Sequence, residues 1–266
     1  MRSVTTPITW LFVPGDRPER FAKAASSGAD AVILDLEDAV APTRKASARA
    51  ATADWLVSRP GWVRINAIGT PQHTADIQRL ADPALRHLQG IVVPMAEDPD
   101  TLASVHATVG CKIVALVETA LGLHRATALA EAEGVTRLAF GSIDYALDID
   151  ALESREALLL ARSTLVAASR LAGLPSPVDG VSVDATNPNV VADDARYARG
   201  LGFGGKLCIH PAQVVPVATA FTPTEADLAW ARSVLAAAGS GAVSVDGMMV
   251  DEPVLARARR ILEDAP

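Results

Sequence analysis

Glu118 and Asp144 close two successive apolar runs, Lys112–Val117 and Arg137–Phe140, and lie 26 positions apart in a chain of 266 residues. If those runs are neighbouring parallel strands, the two carboxylates meet at one rim despite their separation in sequence. Hard oxygen donors without a cysteine or a histidine pair suit Mg²⁺, with Mn²⁺ as a substitute. Mg²⁺ characteristically uses one or two carboxylates and leaves its other positions to water and substrate. The competing reading makes Glu118 a helix cap and Asp144 part of a turn. Arg64 sits in another run, Trp62–Asn66, with Val63 and Ile65 turned to the opposite face by the two-residue period. Its planar fork suits the carboxylate of a 2-oxo or 2-hydroxy acid, or else a rim acid such as Glu37. The run Ala31–Leu36 leads into Asp35-Leu-Glu37-Asp38, and His210 follows the last run.

The elements that must position these residues form a repeat. Apolar β-rich runs recur at Trp10–Pro14, Ala31–Leu36, Trp62–Asn66, Gly90–Pro94, Lys112–Val117, Arg137–Phe140, Asp179–Val183 and Lys206–Ile209. Alanine-rich stretches with helical spacing lie between them, such as Arg44–Val57, Asp98–Thr108, Leu121–Ala132, Glu156–Ala172 and Asn189–Arg199. Strand then helix, about 33 residues per unit and uninterrupted by a linker, predicts an α/β fold: one closed (β/α)₈ TIM barrel over 1–222. A C-terminal extension or lid over 223–266 adds a helix at Thr224–Ala238, a small-residue hinge at Gly239-Ser-Gly-Ala242, and a last amphipathic helix. Asp251 precedes Glu252-Pro253, a good helix start, so the residue reads as an N-cap, while the glycines upstream permit a segment that swings over a barrel mouth.

Composition narrows the partners. A net charge of −7 offers no basic footprint for nucleic acid and no polybasic surface for a membrane. No apolar run reaches the ~20 residues of a membrane span, and the polar start lacks a signal-peptide core, so a cytoplasmic enzyme acting on small molecules is expected. Cys111 and Cys208 lack CxxC spacing and read as buried thiols. Gly200-Leu-Gly202-Phe-Gly204-Gly205 matches the dinucleotide pattern but enters a strand instead of leaving one, so it reads as a tight turn. His73, His87, His106 and His124 have no i, i+4 partners and read as surface or capping residues, and His210 before Pro211 reads as a loop residue.

Seven separated motifs then point to one family. Leu11-Phe-Val-Pro-Gly15, Leu34-Asp-Leu-Glu-Asp-Ala-Val40, Val63-Arg-Ile-Asn66, Val117-Glu-Thr-Ala-Leu-Gly-Leu123, Phe140-Gly-Ser-Ile-Asp144, Gly205-Lys-Leu-Cys-Ile-His-Pro211 and Met249-Val-Asp-Glu-Pro253 resemble, in order and spacing, the citrate lyase β-subunit-like branch of the HpcH/HpaI aldolase and citrate lyase superfamily. The resemblance implies a Mg-dependent carbon–carbon lyase that splits or forms a 3-hydroxyacyl-CoA of the citryl-, malyl- or citramalyl-CoA type, with a 2-oxoacid and an acyl-CoA as the other partners. It implies Mg²⁺ on Glu118 and Asp144, the oxoacid carboxylate on Arg64, and an orienting or water-holding role for Glu37 and Asp38. It also implies an oxoacid pocket completed by the backbone of Gly141, Ser142, Ile143 and Asp144, an acid/base role for Asp251, and a homotrimer or hexamer. The alternatives are an HpcH-type pyruvate aldolase, a malate synthase-like condensation, or a non-catalytic subunit working with an acyl-carrier protein. The aldolases carry a histidine base near the second strand, where this chain has Asp35-Leu-Glu37-Asp38. One departure is visible: after the fourth strand the family commonly reads Pro-Lys, and here the residues are Pro94-Met95.

Overall fold

The computed structural model describes residues 6–239, 244–245 and 248–263. Eight parallel strands form a closed barrel in sequence order: β1 (Thr9–Pro14), β2 (Ala31–Asp35), β3 (Gly61–Arg64), β4 (Leu88–Val93), β5 (Lys112–Val117), β6 (Val135–Phe140), β7 (Val178–Asp179) and β8 (Gly205–Cys208). β8 closes on β1, with Trp10 opposite Leu207. This is the (β/α)₈ fold expected from the repeat. The seventh strand differs from its sequence reading: it starts at Val178 and pairs over two residues only. The apolar stretch Leu121–Ala132 breaks into two helices, Ala120–His124 and Ala126–Glu131. Gly202, at φ 102°, ends the helix Pro188–Leu201, so the glycine run is the tight turn expected of it.

The barrel interior explains where the polar residues go. Trp10, Ile33, Trp62, Val92, Leu116, Ala139, Val178 and Leu207 pack in one buried cluster, with Trp10 and Trp62 edge to face at 4.9 Å between ring centroids. Gly90 is inward on β4 because a side chain there would overlap the Trp62 ring. Two residues further along each strand, the same inward parity delivers Asp35, Arg64, Glu118 and Gly141 to the C-terminal mouth. The polar layer at the mouth is thus the continuation of the hydrophobic core.

The chain forms two compact units, Met1–Val217 and Ala218–Pro266. In the second, the helices Glu225–Gly239 and Glu252–Glu263 bury Ala231, Val234 and Ala258 between them, flanked by Trp230, Leu255 and Ile261. Two short antiparallel strands, Ser244–Val245 and Met248–Met249, precede the last helix. Residues 240–242 of the expected hinge lie outside the described residues. Among the described residues no helix is long and apolar enough to cross a membrane.

Candidate active site

Strand register creates the central ion pair. Asp35 and Arg64 are direct partners across β2 and β3 and both face inward. The Arg64 guanidinium lays its Nε–Nη2 edge on Asp35, with bonds of 2.8 and 2.6 Å. Asp35 is held in turn by the amides of Glu37 (2.9 Å) and Ala39 (3.4 Å). Nη1 of Arg64 approaches Glu37 at 3.1 Å and Asp38 at 3.5 Å. Burial works against the guanidinium's charge, yet Asp35, Glu37 and Asp38 together raise its pKa above the ordinary arginine value. Glu37 moves the other way for a carboxyl: burial first, then Asp38, Glu118 and Asp35, push it up to about 8 against the pull of Arg64.

Glu118, 3% exposed, closes β5. Its carboxyl accepts the Met95 amide at 2.8 Å and is near enough to Asp144 to feel its charge. Burial pushes it up to about 8, and the facing Asp144 adds to that, while the Met95 amide and Arg64 oppose it. Met95 makes this contact from a left-handed backbone, φ 48°, which is uncommon for a non-glycine residue and aims its N–H at the carboxylate. Where the motif pattern calls for a cation, this chain contributes a backbone donor and a 40% exposed thioether side chain.

The stretch after β6 enters through space as much as through donors. The Gly141 amide is used by the Val117 carbonyl at 2.9 Å. Its missing side chain is what matters: a methyl there would overlap the Glu118 carboxyl. Ser142, Ile143 and Asp144 begin the helix Ser142–Asp148, so their amides have no carbonyl to meet within that helix, and the Ser142 hydroxyl donates to Glu153 at 3.0 Å. Gly141→Ala is therefore expected to lower Mn²⁺ affinity about tenfold by displacing Glu118, with the melting temperature little changed; calorimetric titration against wild type checks it, and unchanged affinity would mean that Glu118 does not hold the ion.

A cavity of about 60 Å³ joins these residues. Its polar wall is Arg64, Glu118, Ser142 and Asp144, and its apolar wall includes Phe12, Leu116, Phe140 and Val181. At roughly 10–15 Å³ per water it takes about four to six waters, the bulk of a small acid. Among the described residues no group of three histidine, cysteine or carboxylate side chains is placed to hold a metal. The Glu118–Asp144 pair nevertheless fits Mg²⁺, which completes its shell with water and substrate oxygens, and a buried Glu118 carboxyl beside half-buried Asp144 suits the positive charge such an ion brings.

Asp251 is an exposed N-cap: its Oδ1 accepts the Val254 amide at 3.1 Å. His210 also caps, its Nδ1 accepting the Ala212 amide at 3.2 Å. Asn66 donates to buried Asp76 at 2.6 Å and stays outside the cavity lining. Sequence reasoning missed the Met95 amide, which only a φ value discloses, and the Asp35–Arg64 pair, which two-residue parity on adjacent strands would have disclosed.

A family model described as HpcH/HpaI aldolase/citrate lyase matches residues 9–211, from the start of β1 to the Pro211 that follows β8. The chain belongs to that family. It is accordingly a carbon–carbon lyase of the HpcH/HpaI group, and five of the seven motifs that carried the resemblance supply lining residues of the cavity, among them Phe12, Arg64, Glu118, Asp144 and Leu207. A citrate lyase subunit beta-like protein of Mycobacterium tuberculosis is 40% identical, over 96% of this chain and 94% of its own. The mitochondrial citramalyl-CoA lyase of Rattus norvegicus is 29% identical over 95% of this chain and 84% of its own. The crystal structure of CitE from Mycobacterium tuberculosis, in complex with magnesium, acetoacetate and coenzyme A, superposes with a TM-score of 0.88 at 36% identity, covering 100% of this chain and 99% of that one.

Proposed function

We propose that this HpcH/HpaI family member splits a 3-hydroxyacyl-CoA into a 2-oxoacid and an acyl-CoA, or joins the two, with a divalent cation on Glu118 and Asp144. The observation that carries this reading is the buried Glu118 carboxyl with Asp144 beside it, lining one cavity with Arg64. The magnesium, acetoacetate and coenzyme A bound by the Mycobacterium tuberculosis protein support it.

Bound there, Mg²⁺ supplies Lewis acidity toward a ketone or alkoxide oxygen. The chain's own residues do the rest. Asp35 fixes the Nε–Nη2 edge of the guanidinium, and the oxoacid carboxylate takes the Nη1–Nη2 edge by sharing or displacing the Nη1 contacts now made to Glu37 and Asp38. The amides of Ser142, Ile143 and Asp144 complete the pocket as donors, and Gly141 keeps Glu118 in place. Glu37 and Asp38 orient Arg64 and hold water near the cation. In cleavage the bond between the hydroxyl-bearing carbon and the carbon next to the thioester breaks; the hydroxyl loses its proton and becomes the ketone, and the thioester's α-carbon gains a proton. Asp251 is the carboxylate assigned to that last transfer, in a homotrimer or hexamer, as the family resemblance implies.

A panel of citramalyl-, malyl- and citryl-CoA with Mg²⁺, followed by 2-oxoacid release, tests the reading. Release that EDTA abolishes is expected; no oxoacid from any thioester would sink it. Asp251→Asn separates capping from proton transfer. Asparagine caps as well as aspartate, so the melting temperature should hold, while turnover falls ~10²–10⁴-fold because a carboxamide takes no proton. Full activity in that variant would leave Asp251 a cap and nothing more.

A further inference from the structure

We propose that Lys206 and Gln213 are positioning residues for the barrel mouth: from β8 and the turn after it, they hold the segment 180–184 that brings Val181 to the cavity. The proposal rests on the lyase reading. β7 pairs with β8 over two residues only, so the chain beyond Asp179 leaves the ladder where it begins to line the cavity. Buried carbonyls there still need donors. Side chains supply them. Buried Lys206 donates from Nζ to the Gly180 carbonyl at 2.7 Å, and buried Gln213 donates from Nε2 to the Ser182 carbonyl at 2.8 Å and the Asp184 carbonyl at 3.2 Å. The three carbonyls belong to alternate residues, and Val181, between the first two, is a lining residue of the cavity.

Charge pairing does not account for Lys206. Asp179 already takes the Nε of Arg162 at 2.8 Å, and the ammonium lies farther from that carboxylate, at 3.1 Å, than from the Gly180 carbonyl. A second buried cation on one carboxylate is a poor source of stability. Gln213 is aimed by its own Oε1, which accepts the Ile209 and His210 amides at 2.8 and 3.3 Å and so turns Nε2 toward the segment. Gly180 passes the constraint on. It lies so close to Ser142 that any side chain there would overlap the serine's, and Ser142 both lines the cavity and opens the helix that carries Asp144. Lys206 and Gln213 therefore fix two faces of the cavity, one at Val181 and one at Ser142.

The test uses the full chain with Mg²⁺ and whichever of citramalyl-, malyl- and citryl-CoA wild type cleaves fastest. Gln213→Glu keeps an oxygen for the Ile209 and His210 amides and removes the donor to the segment, and Lys206→Met leaves Asp179 its bond from Arg162. In each variant KM should rise about tenfold, the scale of a small misplacement of a binding wall, with kcat within about threefold of wild type. Amide hydrogen exchange across 180–184 should quicken in both. Val181→Ala leaves the network intact and, at a half-buried site, keeps the fold; it should raise KM about threefold by itself. Unchanged KM in Val181→Ala, or in either folded network variant, overturns the positioning role and leaves the lyase reading standing. Loss of folding in both network variants makes the contacts structural and overturns it equally. Wild type that cleaves none of the three thioesters overturns the lyase reading and this proposal with it.

Discussion

Glu118→Gln is expected to lower Mg²⁺-dependent turnover by roughly a thousandfold or more while the barrel stays folded, because the loss of a Lewis acid held in place removes several kcal/mol of transition-state stabilisation. The amide is isosteric and its oxygen can still accept the Met95 N–H now made to Glu118 at 2.8 Å. Burial already favours the neutral form of Glu118, whose pKa is pushed up to about 8, so a neutral glutamine does not burden the metal-free fold. The melting temperature in EDTA should match wild type within a few degrees, and Mg²⁺ should no longer raise it. Wild-type turnover in this variant would mean that the ion, if one is used, sits elsewhere.

Arg64→Met should strike stability and binding together. It strands the Asp35 carboxylate, 1% exposed, without its cation. Breaking a buried pair in this way costs about 3–5 kcal/mol, or on the order of 10 °C in melting temperature for a chain of this size. Arg64→Lys is the more informative partner. Its ammonium can still neutralise Asp35 but cannot serve Asp35 on one edge and a substrate carboxylate on the other, so oxoacid affinity should fall one to two decades, the loss of about 1.5–3 kcal/mol. Weaker stability with unchanged oxoacid affinity would make Arg64 a structural ion pair alone.

The barrel was legible because its units repeat. The strands are mostly apolar up to their C-terminal ends, so Asp35, Arg64, Glu118 and Asp144 stood out as polar residues at or after the ends of apolar runs. Details fixed by three-dimensional neighbours were not legible. The pattern over Leu121–Ala132 runs straight through the break at Arg125, whose guanidinium donates to the Glu97 carbonyl at 3.0 Å, a partner 28 positions away. β7 is short although the apolar stretch runs on to Val183, and it ends just before Gly180, where any side chain would overlap Ser142. Gly141 read as a backbone donor, and its use as empty space beside Glu118 depends on a strand one place over in the barrel. Asp251 read both as a cap and as a proton carrier; the capping contact is present, and the two roles are compatible.

The claim on which the rest depends is that Glu118 and Asp144 hold a divalent cation. Titrating Mg²⁺ into the metal-free full chain at pH 7, in two buffers of different ionisation heat, tests it most directly. A carboxyl whose pKa lies near 8 is mostly protonated at that pH and must shed its proton to bind the ion. One site releasing about one proton, with affinity that climbs as pH rises toward 8 and then levels, is the result expected. Binding that releases no proton and ignores pH, or no binding at millimolar Mg²⁺, would contradict the account.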